Sequence, residues 1–241
     1  LPIASSSEAN TCLIETEEVS IVLDAGIPLK TLKPHAKKLD AVFVSHCHID
    51  HWKNCGVYSR FYKCPVYMNE LGYMEKRNRI KTCDINFPNP GDVVKIGDLE
   101  IAHFSTKHDV ISYGYSVKQV GGKTFCYVTD TGFITQLIEN YLLEADLILI
   151  EADYDEALLE EFEDYDKWLK ARISSSVGHL SNQQTIGFLE EHGVSRYEKI
   201  IFGHISPRTN SPEVILKLAH EAFPEEKDKF IVAPFPVAIA L

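Results

Sequence analysis

The stretch "SHCHIDH", residues 45–51, sets three histidines and an aspartate within six consecutive positions. The whole chain has only 10 histidines in 241 residues. At that frequency a chance H-x-H-x-D-H arises in roughly one chain in a thousand, so a merely polar loop explains it poorly. Directly before it runs "LDAVFV", an apolar, β-branched segment that reads as a buried strand. Imidazoles and a carboxylate crowded at the end of such a strand form a metal-ligand pattern, and open α/β-type sheets place their sites there. His46, His48, Asp50 and His51 are the first candidate ligands. Cys47 lies between two ligands at i and i+2 of an extended segment, so its thiol is expected to face away from a metal.

Around this cluster the chain reads as alternating strands and helices. "CLIETEEVSIVLDAG" predicts a hairpin turning at Glu17-Glu18, followed by a helix from about Pro28 to Leu39. "CPVYMN", "GDVVKIGDLEIAHFS", "SYGYSVKQVGGKTFCYVTD" and "ADLILIEA" supply further strands, with Gly121-Gly122 as a hairpin turn. "EALLEEFEDYDKWLKARI" reads as one long amphipathic helix, and "SNQQTIGFLEEHG" as a helix capped by Ser181 and stopped at Gly193. Two late strands, "KIIFGH" and "FIVAPF", flank the helix "SPEVILKLAHEAF". Strands in two batches, each followed by helices, predict an α+β chain: two mixed sheets face to face, helices outside. No repeat or Pro/Gly-rich linker divides the sequence, so one domain over residues 1–241 is expected.

The formal charge of −11 argues against a broad nucleic-acid coat and against attraction to anionic membranes. It leaves room for a local site, because two divalent cations would add about four positive charges at one spot. The basic run "KRNRIK", residues 76–81, is expected to be a solvated charged face. Six cysteines without a C-x-x-C pair read as reduced and structural, which suits the cytoplasm. No apolar run approaches the roughly 18 to 20 residues that cross a bilayer, and "LPIASSSEAN" has no secretory pattern, so no membrane association is expected.

A histidine cluster alone can be a structural zinc site. Hydrolysis needs two metals about 3.5 to 4 Å apart with open positions for water and substrate. The further candidates terminate apolar strands: His108 after "EIAHFSTK", Asp130 closing "FCYVTD", and His204 closing "KIIFGH". His103 competes with His108, but it lies mid-strand whereas His108 falls in the following turn beside Asp109, which favours His108.

"HCHIDH" with the ordered followers His108, Asp130 and His204 resembles the signature and later motifs of the metallo-β-lactamase fold. The resemblance runs the length of the chain and includes an Asp-x-Gly motif at Asp24 and Gly26. Within that superfamily, "TKHDV", "YVTDTG", "ILIEADYDEALL", "GHLSN" and "FGHISPRTN" resemble the WalJ (YycJ) group of bacterial and phage nucleases, relatives of RNase Z and RNase J. The resemblance implies a four-layer αββα sandwich. It implies that His46, His48 and His108 bind one metal, that Asp50, His51 and His204 bind a second, and that Asp130 bridges them. Nitrogen and oxygen donors without a thiolate suit Zn²⁺ or Mn²⁺. Two departures stand out. "SSSEAN" keeps Ser6, Ser7 and Asn10 but lacks the glycines that let a backbone approach a phosphate closely. "EADYD" places Asp153 and Tyr154 where the group commonly has Asn-His, which bears on substrate contacts.

Two metals in such a ligand set would activate a water for hydrolysis, and the resemblance implies a phosphodiesterase acting on nucleic acid, most simply a DNA exonuclease. Asp50 is expected to orient the nucleophile and handle its proton. His179 is expected in catalysis and phosphate contact, with Ser206, Ser181 and Asn182 as further substrate contacts; the last two open a helix, a ready anion site. An ordinary helix cap explains "HLSN" equally well. Glu151 is a candidate for orienting a ligand. Three alternatives stay open: a lactonase or thioesterase, an RNA-processing endoribonuclease, and a metal-stabilised binding module. No apolar acyl pocket is legible, and the ligand set has no gap, which weigh against the first and last.

Overall fold

Alternation along the strands decides the layering. The computed structural model describes residues 2–81 and 84–233. Six strands form the first sheet in chain order: β1 (Pro2–Ser6), β2 (Ala9–Glu15), β3 (Ser20–Leu23), β4 (Ala41–Phe43), β5 (Val66–Tyr67) and β6 (Ile85–Asn86). Ala41 and Phe43 of β4, with Ile21 and Leu23 of β3, face the partner sheet, while Val42 and Val22 face outward. The second sheet runs β7 (Val93–Ile96), β8 (Leu99–Ser105), β9 (Tyr113–Gln119), β10 (Thr124–Val128), β11 (Leu147–Glu151), β12 (Lys199–Gly203) and β13 (Phe230–Val232), each beside the next. In β11, Leu147 and Leu149 point into the sandwich and Ile148 and Ile150 point out. A strand buried on both faces reads as a continuous apolar run, which is why "LILI" shows no alternation in the sequence.

Both sheets are mixed: β1–β2–β3 and β7–β8–β9–β10 pair antiparallel, and the rest pair parallel. Helices α1 (Leu29–Leu32), α2 (Ile49–Trp52), α3 (Cys55–Tyr62) and α4 (Glu70–Lys76) follow the strands of the first sheet. Leu32, Trp52, Cys55 and Tyr58 from these helices pack on its outer face. The second sheet carries α5 (Gln136–Leu143), α8 (Asn182–His192) and α9 (Pro212–Ala222), with α6 (Glu156–Glu161) and α7 (Lys167–Ile173) in the crossover before α8. Ile138, Leu189 and Ile215 anchor its three covering helices. Three apolar clusters thus separate four layers, the αββα sandwich expected. Truncating a fully buried ring at the centre, such as Phe43→Ala, should cost about 3 to 5 kcal/mol.

Two helices differ from expectation. The one expected over 28–39 stops after Leu32, because Pro34 cannot continue the hydrogen-bond ladder and its ring clashes with the preceding turn. The long helix expected over 156–173 is two, α6 and α7. Asp166 leaves the helical conformation and its side chain accepts from Leu169 N at 2.7 Å, starting a new helix. The strand in "FIVAPF" covers Phe230–Val232, and its last two residues lie outside the described residues. The five described cysteines are free and buried; Cys83 lies outside the described residues. Cys47 packs toward α4 with Sγ 3.7 Å from Glu75 Oε2, away from the histidines as expected. In the basic run, Arg77, Arg79 and Lys81 are exposed and Ile80 is buried.

Candidate metal centre

The candidate ligands meet where the parallel strands end, at the rim between the two sheets. Beyond β4 the chain turns through His46 to His48, which caps α2, and the helix then presents Asp50 and His51 from its first turn. Gly26 lets this turn sit against the opening hairpin, since a Cβ there would overlap the Asp50 carbonyl. From the second sheet, His108 follows β8, Asp130 follows β10, Glu151 closes β11 and His204 follows β12. Asp24, Asp130 and His204 adopt positive φ of 63°, 57° and 53° within two residues of their strand ends. This left-handed conformation is uncommon outside glycine, and it is tolerated best by Asp, Asn and His. Backbone strain of this kind persists where the surroundings over-determine it, as at a site.

Asp130 is the centre of the cluster. His46, His51, His108, His179 and His204 each place a ring nitrogen within 3.8 Å of its carboxylate. Asp50 Oδ2 lies 2.9 Å from His51 Nε2 and 3.6 Å from His204 Nε2. His48 joins through Nδ1, 3.2 Å from His108 Nε2. Three groups have donor atoms close enough to share one ion: His46, His48, His108 and Asp130; Asp50, His51 and His204; and Asp130, Glu151, His179 and His204. The first two, joined through Asp130, comprise the seven residues expected from the sequence. His103 is elsewhere, its ring beside Phe43 and Tyr115 in the sandwich.

Each outer ring nitrogen faces a polar neighbour, and that sets which nitrogen faces inward. His51 Nδ1 lies 2.7 Å from Asp24 Oδ2, His108 Nδ1 3.0 Å from the Gly178 carbonyl, and His48 Nε2 3.2 Å from Asp109 Oδ1. His46 Nδ1 is 3.0 Å from Ser45 Oγ, and His204 Nδ1, which makes no hydrogen bond, has the carboxylates of Glu151 and Asp153 at 3.3 and 3.5 Å. Ligating histidines need this kind of outer partner to fix their tautomer and ring plane. The inner atoms include His46 Nε2, His204 Nε2 and Asp130 Oδ2, all buried without a hydrogen-bond partner. Buried polar atoms left unpaired are costly, and divalent cations at this position would satisfy them. The donor set therefore fits metal ions.

Electrostatics point the same way. Burial favours the neutral form of Asp130, yet His204, His51, His46 and His108 hold its pKa well below the ordinary carboxylate value. Burial likewise disfavours charge on His51, but Asp130, Asp50 and Asp24 raise its pKa well above the usual imidazole value. His46 behaves oppositely: burial, reinforced by His51, keeps it well below. His179 is buried against charge, but Asp153 and Glu151 raise its pKa to about 9.

Not every expected substrate contact reaches this centre. Ser181 is fully buried and accepts from Gln184 N at 3.1 Å in a capping box, while its own hydroxyl donates to Glu156. Asn182 is fully buried and exchanges amide hydrogen bonds with Asn210 at 2.9 and 2.7 Å. Both side chains are engaged at the start of α8, as in an ordinary helix cap. Ser206 Oγ is occupied within its own turn, accepting from Thr209 Oγ1 at 3.0 Å. Tyr154 is buried and bridged to Ser181, whereas Asp153 reaches to 3.5 Å from His204 Nδ1. His179 does reach the cluster: Gly178 turns the chain where a Cβ would overlap the Ile173 carbonyl, and the His179 ring stacks 5.1 Å from that of His204. Sequence reasoning missed the parts played by Asp24 and Asp109, although each stands in a quoted motif, "LDAG" and "KHDV".

Four layers, a rim of strand-end ligands and a shared central carboxylate define a metallo-β-lactamase-fold hydrolase, and the chain belongs to that superfamily. Residues 20–205 match the family described as the beta-lactamase superfamily domain. The chain is 30% identical over 230 residues to exodeoxyribonuclease WalJ of Streptococcus pneumoniae, spanning 90% of this chain and 84% of that protein. It is 27% identical over 222 residues to exodeoxyribonuclease YycJ of Bacillus anthracis, spanning 88% and 84%. Zn²⁺-bound PqqB from Methylobacterium extorquens shares the fold, with a TM-score of 0.78 at 12% identity over 100% of this chain and 99% of that one. Among the described residues, no helix is long and apolar enough to cross a membrane.

Proposed function

We propose that the protein is an exodeoxyribonuclease, a phosphodiesterase that uses two divalent ions, Zn²⁺ or Mn²⁺, to remove nucleotides from DNA ends in the cytoplasm. The observation that carries it is the convergence of inward-facing imidazoles on Asp130. The names of the relatives supply the substrate class, and the free, buried cysteines suit a reducing compartment.

His46, His48 and His108 would hold one ion, Asp50, His51 and His204 the other, and Asp130 both. Bound there, the pair supplies a water of near-neutral pKa and Lewis-acid polarisation of the phosphoryl oxygen. Asp50 is held by Asn10 Nδ2 at 3.0 Å and lies 2.9 Å from His51, so its carboxylate is fixed to orient the attacking water and accept its proton. His179 gives its Nδ1 hydrogen to Glu151, leaving Nε2 as the atom that meets substrate. Burial opposes charge on this ring, but Asp153 and Glu151 favour it, so Nε2–H is placed to donate to a phosphate or leaving-group oxygen as negative charge builds.

The test is digestion of end-labelled DNA and RNA after metal removal and after restoration with Zn²⁺ or Mn²⁺. Metal-dependent release of nucleotides from DNA ends is expected, with bis-p-nitrophenyl phosphate turned over far faster than lactones or thioesters. Comparable turnover of an acyl-homoserine lactone would overturn the reading, and internal cleavage of RNA in preference to DNA would shift it to an endoribonuclease.

A further inference from the structure

None of the seven residues of α7 is buried, whereas a helix held for packing alone turns an apolar stripe into the core. Leu169 and Ile173 are half-buried on one side, and Trp168 and Arg172, four positions apart, share another, exposed face. Trp168 is 71% exposed, more than any other large apolar side chain among the described residues. The Arg172 end of this face abuts the metal centre. His179 N donates to the Ile173 carbonyl at 2.9 Å, and Arg172 lines a recess with His108, Gly178 and His179. Arg172 donates to Asp109 Oδ2 through Nε, at 3.1 Å, and through Nη2, while Asp109 Oδ1 lies 3.2 Å from His48 Nε2. The guanidinium is thereby fixed one carboxylate away from a candidate metal ligand. Its planar fork has donors to spare: with the Nε–Nη2 edge on Asp109, Nη1 is turned away from that carboxylate.

We propose that Arg172 and Trp168 hold the single DNA strand that leads into the metal centre, Arg172 on the phosphate next to the one being cleaved and Trp168 against a base further along. The inference rests on the phosphodiesterase reading above and adds to it two residues outside the metal cluster. Geometry gives the order. A strand leaving the cluster past His48 and Asp109 meets Arg172 first and Trp168 one helical turn, about 5.4 Å, later. Charge gives the chemistry. A chain of net charge −11 repels a polyanion over most of its surface, so a cation fixed at the rim of the site decides where a phosphate rests. Lys167 and Lys170 do not compete for it, because they line a neighbouring cleft with Glu156, Glu160, Glu163 and Asp166. A guanidinium matches a phosphate, and an exposed indole stacks on a base of any identity once that base is unpaired. A cation followed by an aromatic platform is how proteins hold single strands without reading their sequence.

The experiment titrates metal-reconstituted protein with a short fluorescein-labelled single strand carrying phosphorothioate linkages, following anisotropy at several salt concentrations. Trp168→Ala should weaken Kd about fivefold or more, the effect of losing one stacked base. An abasic strand of the same length should bind the wild type less tightly, and most of that difference should vanish in Trp168→Ala. Arg172→Gln keeps a donor for Asp109 but removes the charge, so it should lower the slope of log Kd against log salt by about 0.7, the share of one single-strand phosphate. Arg172→Lys should restore the slope. For Trp168→Ala and Arg172→Gln, KM on DNA should rise more than kcat falls, with metal content at the wild-type level. Both side chains are exposed, so neither substitution opens the core. Unchanged Kd in Trp168→Ala, an unchanged salt slope or lost metal in Arg172→Gln, or a wild-type dimer that Trp168→Ala dissociates in sedimentation would each overturn the proposal. Should the wild type bind the strand yet hydrolyse neither DNA nor bis-p-nitrophenyl phosphate, the phosphodiesterase reading fails while the titration still decides this face.

Discussion

Glu151 Oε1 lies 2.7 Å from His179 Nδ1, and its other oxygen accepts from Thr131 N at 2.9 Å. The carboxylate is fully buried and its pKa falls to about 2: burial opposes the charge, and His179 and His204 together outweigh burial. It therefore ties a ring outside the expected ligand set to the loop that carries Asp130.

His179→Ala should lower the nuclease rate about 10²-fold or more, the effect of losing one charge-stabilising donor. Metal content should stay at the wild-type level, because the seven proposed ligands remain. Asp130→Ala is the control and should lose metal and rate together. A loss of one metal equivalent in His179→Ala would instead assign His179 to the group it forms with Asp130, Glu151 and His204.

Elemental analysis after reconstitution should return two divalent ions per chain, and His46→Ala with His48→Ala should lose one of them and all hydrolysis. Uptake should release protons and strengthen as pH rises. Burial opposes charge on His51 and His204, yet the surrounding carboxylates raise both pKa values well above the imidazole range, so the metal-free rings carry protons at neutral pH. Ligation requires the neutral ring, so each lowering of pH makes the proton a stronger competitor. Calorimetry in two buffers of different ionisation enthalpy reads this directly; no proton release at pH 7 would contradict it.

Asp24→Asn should weaken metal affinity about 10- to 100-fold although Asp24 is no proposed ligand. Asp24 Oδ2 accepts from Tyr127 OH at 2.9 Å and holds His51 Nδ1 at 2.7 Å, so the charge that fixes the His51 tautomer is lost. Asparagine tolerates the left-handed backbone at this position, so the turn itself should persist. Chelator competition measures the change, and wild-type affinity would show that His51 needs no such anchor.

Ser181→Ala should destabilise the fold by about 1 to 2 kcal/mol, the usual loss for a helix cap, and change the nuclease rate less than twofold. Its hydroxyl is committed to Gln184 N and Glu156. Urea unfolding with parallel rate measurements separates the two effects. A tenfold rate loss at unchanged stability would return Ser181 to the substrate site.

Legible in the letters alone were the strand that delivers the cluster, the hairpins at Glu17-Glu18 and Gly121-Gly122, the αββα class, and the placing of His108, not His103, beside the other histidines. These are local matters: alternation, turn residues and a ligand spacing that chance does not supply. Even the two misread helices have local causes, Pro34 and the cap at Asp166. Contacts that cross between the sheets were not legible there. Asp24 meets His51 27 positions away, Glu151 meets His179 28 positions away, and the Ser181 hydroxyl donates to Glu156 25 positions away. A side chain's partners depend on which strand ends converge and on which atoms burial leaves unpaired. One chain of letters carries residue types and spacing, but the pairing of those atoms arises only when two sheets close on each other.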